Sequence, residues 1–229
     1  MNYISHYYNS EKESNYYKLG LVLPDIYPNF SFLHNKYFVE YQDKHLLTPQ
    51  ELDLWEGIEQ HYMDDSIFHN LPQFDNFVHQ TMIDFEANPI LKPIQRKNFV
   101  GHIFLEIIID YLVLKDHPDL VYKIYEDIEV IQEDVVTSFF NKIILESDKN
   151  QLFLKNFRNF KTKKFLEYYK IKRNLVVALY KVTGKIAKWE LNEEIERELI
   201  AYIDNYSTDS TENNYLEIFK QIEKTKKGI

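Results

Sequence analysis

Two stretches of the sequence place a carboxylate four residues after a histidine: His61 with Asp65, and His102 with Glu106, the second series continued by Asp110. A spacing of four returns to the same side of an α-helix, so each pair offers one imidazole and one carboxylate a single turn apart. One nitrogen and one oxygen donor suit a divalent ion held by helices; they equally suit a hydrogen-bonded polar cluster in a core. Either pair alone reads more readily as a polar cluster, and the coincidence of two shifts the balance toward a metal. The 229 residues include no cysteine, which excludes thiolate ligation, disulfides, Cys nucleophiles and thiol redox chemistry. The sequence also lacks a glycine-rich phosphate loop, a Gly-x-Ser-x-Gly elbow, a His-Glu-x-x-His motif and a dinucleotide fingerprint.

The elements that must carry these residues read as helices throughout. Only five glycines and seven prolines punctuate the chain, and apolar residues recur at three and four. The clearest start is Thr48-Pro49-Gln50-Glu51: Thr48 as cap, Pro49 at the first helical position, Glu51 returning a hydrogen bond to the cap. That helix, expected from Pro49 to about Asn70, holds His61 and Asp65 on the face of Leu54, Ile58 and Phe68. A second follows Leu71-Pro72, with Phe74, Phe77, Val78, Met82 and Phe85 on one face, and ends before Asn88-Pro89. The third, about Ile94 to Lys115, is apolar nearly all round and therefore central, so His102, Glu106 and Asp110 form a costly polar stripe on it. Further helices are expected over about Leu120–Ser147, Lys161–Val182, Asn192–Tyr206 and Asn214–Lys224, with a polar linker at Ser207–Thr211 and a frayed Lys-rich tail. The class is all-α: one helical bundle over residues 1–190 and a helical extension over 191–229.

Composition narrows the setting. Met1–Ser14 has no basic start and no unbroken apolar core, and Phe99–Leu114 is interrupted by His102, Glu106 and Asp110, so neither a signal peptide nor a membrane span is expected and a cytoplasmic location is the default. The chain carries −9 overall, yet residues 151–190 hold 11 Lys and Arg against Glu167 and Glu190. Within that segment Lys161, Lys164, Lys170 and Arg173 are candidates for docking an acidic partner or a phosphate; the bland reading has such cations neutralising acidic neighbours in the same fold. Phe157, Phe160, Phe165, Tyr168 and Tyr169 interleave with them, but their helical spacing and the overall acidity favour core packing over nucleic acid. His34, His45, His79 and His117 lack a partner pattern and read as surface or structural, and Trp55 and Trp189 read as packing residues.

Two further residues gain meaning only by likeness. The opening Met1-Asn2-Tyr3-Ile4-Ser5-His6, then Gly20-Leu21-Val22-Leu23-Pro24-Asp25, then Gly57-Ile58 with His61, Asp65 and Asn70-Leu71-Pro72, and finally His102, Glu106 and Asp110, together resemble the acyl carrier protein phosphodiesterase family in order and spacing. The likeness covers about residues 1–115, fades toward about 185 and does not reach the last forty or so. It implies a mostly helical fold similar to the HD-domain metal-dependent phosphohydrolases. The activity it implies is hydrolysis of holo acyl carrier protein to the apo form and 4′-phosphopantetheine, within fatty acid biosynthesis and lipid metabolism. By the same resemblance His6, Asp25, His61, Asp65, His102 and Glu106 fall on metal-site positions, Asp110 on the last acidic position, and the cofactor is a divalent ion, Mn²⁺ or Mg²⁺ first. The chain departs from the family at Leu21 for Asn, Glu106 for Asp, His69 for an acid and Tyr111 for His.

A divalent ion lowers the pKa of bound water and stabilises charge on a phosphoryl oxygen, so hydroxide can attack phosphorus without a protein nucleophile. Asp25 or Asp65 would orient that water, and His61 or His102 would protonate the departing serine oxygen. The acidic carrier protein is the expected partner. The alternatives are the same metal chemistry on another phosphoester such as a nucleotide, and a catalytically degenerate helical interaction protein, to which Tyr111 and Leu21 point.

Overall fold

In a computed structural model, which describes residues 1–27, 30–39, 41–144, 147–208 and 214–228, the described residues are helical and contain no strand. In chain order the helices are α1 (Tyr3–Tyr8), α2 (Asn15–Ile26), α3 (Phe30–Leu33), α4 (Pro49–His69), α5 (Pro72–Ala87), α6 (Lys97–Asp116), α7 (Leu120–Glu129), α8 (Glu133–Ile143), α9 (Ser147–Lys163), α10 (Lys172–Ala187), α11 (Glu193–Thr208) and α12 (Asn214–Lys226). No helix among the described residues is long and apolar enough to cross a membrane.

Capping explains the start of α4: Thr48 N–H donates to Glu51 Oε2 at 2.7 Å, and Glu51 N–H donates to Thr48 Oγ1 at 3.3 Å, the reciprocal pair the sequence anticipates. Two expected helices are each divided. The span Leu120–Ser147 breaks after Glu129 because Gln132 turns extended (φ −79°, ψ 122°); Ile131 is buried by the break, so the apolar spacing continues across it and hides it from the sequence. Residues 145 and 146 lie outside the described residues. The span Lys161–Val182 breaks at Lys164, whose φ of 44° stops α9 in a left-handed conformation that glycine usually supplies. A tight 3₁₀ turn over Phe165–Lys170 then leads into α10. The central helix starts at Lys97 rather than Ile94, after another left-handed residue, Arg96. Of the linker expected at 207–211, Ser207 and Thr208 close α11 and the rest lies outside the described residues.

The chain divides into two units, the first made of Met1, Asp64–Pro118 and Leu166–Ile229, the second of Asn2–Met63 and Asp119–Phe165. In the first, α6 is the axis, packed against α5, α10 and α12, with α11 on α10. Its apolar surround makes this possible: Val100, Phe104, Leu105, Ile107, Ile108, Ile109, Leu112 and Val113 are all buried. Tyr202 of α11 closes the face, its hydroxyl 3.0 Å from Thr81 Oγ1, and burial raises its pKa.

In the second unit, α1, α2, α7, α8 and α9 surround a core of aromatic side chains in which Phe30, Phe38, Phe139, Phe140 and Phe153 are fully buried. Here α2 and α4 touch backbone to backbone. A Cβ added to Gly57 would collide with the Tyr17 carbonyl, and one added to Gly20 with that of Leu54. Only glycines allow the helices to approach so closely.

Candidate metal centre

Within the first unit, two helices bring three side chains together. His102 and Glu106 stand one turn apart on α6, and His69 is the last residue of α4. The Oε1 atom of Glu106 is 3.1 Å from His102 Nε2 and 3.2 Å from His69 Nε2. One ligand atom from each of the three lies within 4.8 Å of the others. Phe74 of α5 braces both imidazoles edge-on, 4.9 Å from each ring centroid. The cluster is accessible, with the two histidine side chains about one third exposed and Glu106 13% exposed.

The electrostatics keep Glu106 charged. Burial alone would raise its pKa; the Met1 ammonium and the hydrogen bonds from His102 and His69 outweigh that and bring it down to about 2. Met1 N lies 3.4 Å from Glu106 Oε1 and 2.6 Å from Asp65 Oδ1, so Asp65 and Glu106 face a common atom. Two imidazoles and a carboxylate at this separation are a donor set that fits one divalent ion with coordination positions to spare.

Within the second unit, His6 and His61 are buried and stacked, their ring centroids 3.9 Å apart. His61 Nδ1–H donates to the Leu21 carbonyl at 2.8 Å, which makes Nε2 the basic nitrogen and fixes the ring. The Gly20–Gly57 contact sets this bond, since Leu21 follows one glycine and His61 lies a turn beyond the other. Asp25 sits near the end of α2, where its carbonyl accepts from Tyr3 OH at 2.6 Å. Thus α4 carries His61 in one unit and, one turn on, Asp65 in the other. Asp110 is fully buried on α6, and Tyr111 contacts Lys172.

The four docking candidates divide between the units. Lys161 and Lys164 line a cleft of about 370 Å³ with Arg158, Thr162, Glu129 and Glu133. Arg158 is paired there with Glu133 at 2.7 Å, and Lys161 Nζ donates to the Glu129 carbonyl at 3.4 Å. In the first unit Arg173 pairs with Glu196 at 3.1 Å, while Lys170 closes the 3₁₀ turn. Of the four candidates, Arg173 stands in an ion pair and Lys161 on a backbone carbonyl. Phe157, Phe160 and Tyr169 are buried and Tyr168 is exposed, which is the pattern of core packing. His34 is structural, hydrogen-bonded to Glu59 at 3.0 Å and stacked on Tyr62.

Sequence reasoning missed His69 as a partner of the site, although 61, 65 and 69 continue one series at a spacing of four. It also missed Asp64, fully buried and paired with Lys226 at 2.6 Å; nothing local marks that pairing. No family model, curated protein or solved structure matches the chain.

Proposed function

We propose that the chain is a divalent-metal-dependent phosphodiesterase that releases 4′-phosphopantetheine from holo acyl carrier protein. The observation that carries the metal half of this reading is the convergence of His69 and His102, each about one third exposed, on one carboxylate oxygen of Glu106. The substrate half rests on the motif order of residues 1–115 alone. His69, His102 and Glu106 would hold the ion. When bound, it would acidify water and offset charge on a phosphoryl oxygen. Asp65, about one quarter exposed beside the cluster, would accept the proton of the attacking water and orient its oxygen toward phosphorus. Phe74 holds both imidazoles in place, which limits the reorganisation needed on binding.

The competing reading, a helical interaction protein with a residual polar cluster, is supported by the same hydrogen bonds, since the three side chains also satisfy one another. Elemental analysis after dialysis against Mn²⁺, Mg²⁺ and Zn²⁺ in turn separates the two. Near-stoichiometric metal that disappears in His102→Ala supports the metal reading, and turnover of holo carrier protein against a panel of other phosphoesters then identifies the substrate. No bound metal under any condition leaves the interaction protein.

A further inference from the structure

The helix α12 is tied to its unit at both ends. Near its start Tyr215 OH donates to Asp116, the last residue of α6. At its end Lys226 Nζ meets Asp64 Oδ1 at 2.6 Å, with side-chain exposures of 8% and 0%. Between these ties Ile218, Phe219 and Ile222 are buried, and the helix packs on α6. A carboxylate so withdrawn from water must be met by a fixed cation, and immobilising a lysine there forfeits most of its rotamer freedom. The direct contacts among His69, His102 and Glu106 do not require either residue.

The position of Asp64 supplies the reason. His69 is the last helical residue of α4, and residues in a final turn have the least local stability of any in a helix. Phe74 braces the His69 ring from the side; an anchor upstream on the same helix would fix the backbone that carries it, and Asp64 stands inside the last two turns of α4. We infer that Lys226 is a positioning residue: through Asp64 it clamps the end of α4, and so fixes the direction in which His69 meets Glu106. This deepens the metal reading above and depends on it for the identity of the ligand.

Mn²⁺ titration calorimetry on the full-length chain tests it with Lys226→Met, Lys226→Arg and, as a control for charge alone, Lys224→Met on the exposed side of the same helix. Loss of a residue that orients a metal ligand typically weakens affinity by about 10- to 100-fold. The expected result is about tenfold weaker Mn²⁺ binding in Lys226→Met, retention in Lys226→Arg, and wild-type behaviour in Lys224→Met. Equal weakening in both methionine variants, or none in Lys226→Met, overturns the proposal. Should Lys226→Met fail to fold, Asp64→Asn combined with Lys226→Met removes both charges; the same tenfold loss supports the clamp, and wild-type affinity overturns it. Should the wild-type chain take up no ion, the metal reading fails by itself and amide hydrogen exchange decides the clamp. Faster exchange over residues 64–69 in the double variant, with α5 and α10 unchanged, supports it; unchanged protection overturns it.

Discussion

Glu51 and Glu106 are both glutamates drawn into a helical unit, and they are held in opposite ways. Glu51, in the second unit, is 1% exposed and its carboxylate accepts from Thr48 N–H at 2.7 Å, Ser138 Oγ at 2.7 Å and Lys142 Nζ at 2.6 Å. These donors are a backbone N–H, a hydroxyl and an ammonium, and none is an imidazole. Glu106, in the first unit, takes on a single oxygen the Met1 ammonium at 3.4 Å and two imidazoles that remain about one third exposed. An imidazole can exchange a hydrogen bond for a metal bond; an ammonium and a backbone N–H cannot. The difference teaches that burial of a charge does not mark a site. A charge met in part by groups able to change partners is the stronger candidate for one.

The comparison can be broken most sharply at Glu106. Glu106→Gln keeps the shape and loses the ligand charge, so metal retention should fall by roughly 100-fold or more while the melting temperature of the metal-free protein moves by no more than about 4 °C. Elemental analysis and a melting curve check both. An unchanged metal content with a collapsed melting temperature would move Glu106 into the same class as Glu51.

A second polar group sharpens the structural side of the comparison. Lys18 is 6% exposed and pairs with Asp127 at 3.2 Å and Glu13 at 2.8 Å, and Tyr7 OH donates to the same Asp127. Burial first, then the bond to Asp127, pushes the Tyr7 phenol well above its ordinary pKa. Asp127→Asn leaves a buried ammonium with only an exposed partner, so the loss should be about 3 kcal/mol, read by urea denaturation, with metal retention unchanged. Glu51→Gln should cost about 2 kcal/mol by the same measurement, because it removes charge-assisted bonds but leaves an amide able to accept some of them. It too should leave metal retention alone.

These residues also show what the sequence discloses. The start of α4 was legible from Thr48, Pro49 and Glu51 because capping is a local matter of residue type and offset. The His102–Glu106 contact was legible for the same reason, since a spacing of four fixes a neighbour on a helix whatever the tertiary fold. The stop of α9 at Lys164 was not, because a left-handed residue that is not glycine or asparagine carries no compositional mark. Nor was the division of α7 from α8, where Ile131 keeps the apolar rhythm through an extended residue. Pairings between distant residues, Asp64 with Lys226 and Asp127 with Lys18, were illegible: either partner alone is an ordinary surface residue type.

The smallest effect expected is the pH dependence of the Glu51 pair. Burial would raise the Glu51 pKa, but the bonds from Lys142, Thr48 and Ser138 prevail and hold it below the ordinary carboxylate range. A depressed folded pKa means that the folded protein releases the proton more readily than the unfolded chain. The stabilisation is therefore complete above the unfolded value of about 4.3 and is lost as pH falls through the lower folded value. Lys142 is one third exposed, so solvent screens the pair and its coupling in a double-mutant cycle with Lys142→Met should be about 1 kcal/mol at pH 7. It should fade in acid below about pH 4 and shrink in about 1 M salt. A coupling that grew toward acid pH would mean that Glu51 is held protonated, and the contrast with the charged Glu106 would then rest on protonation state rather than on which partners can be exchanged.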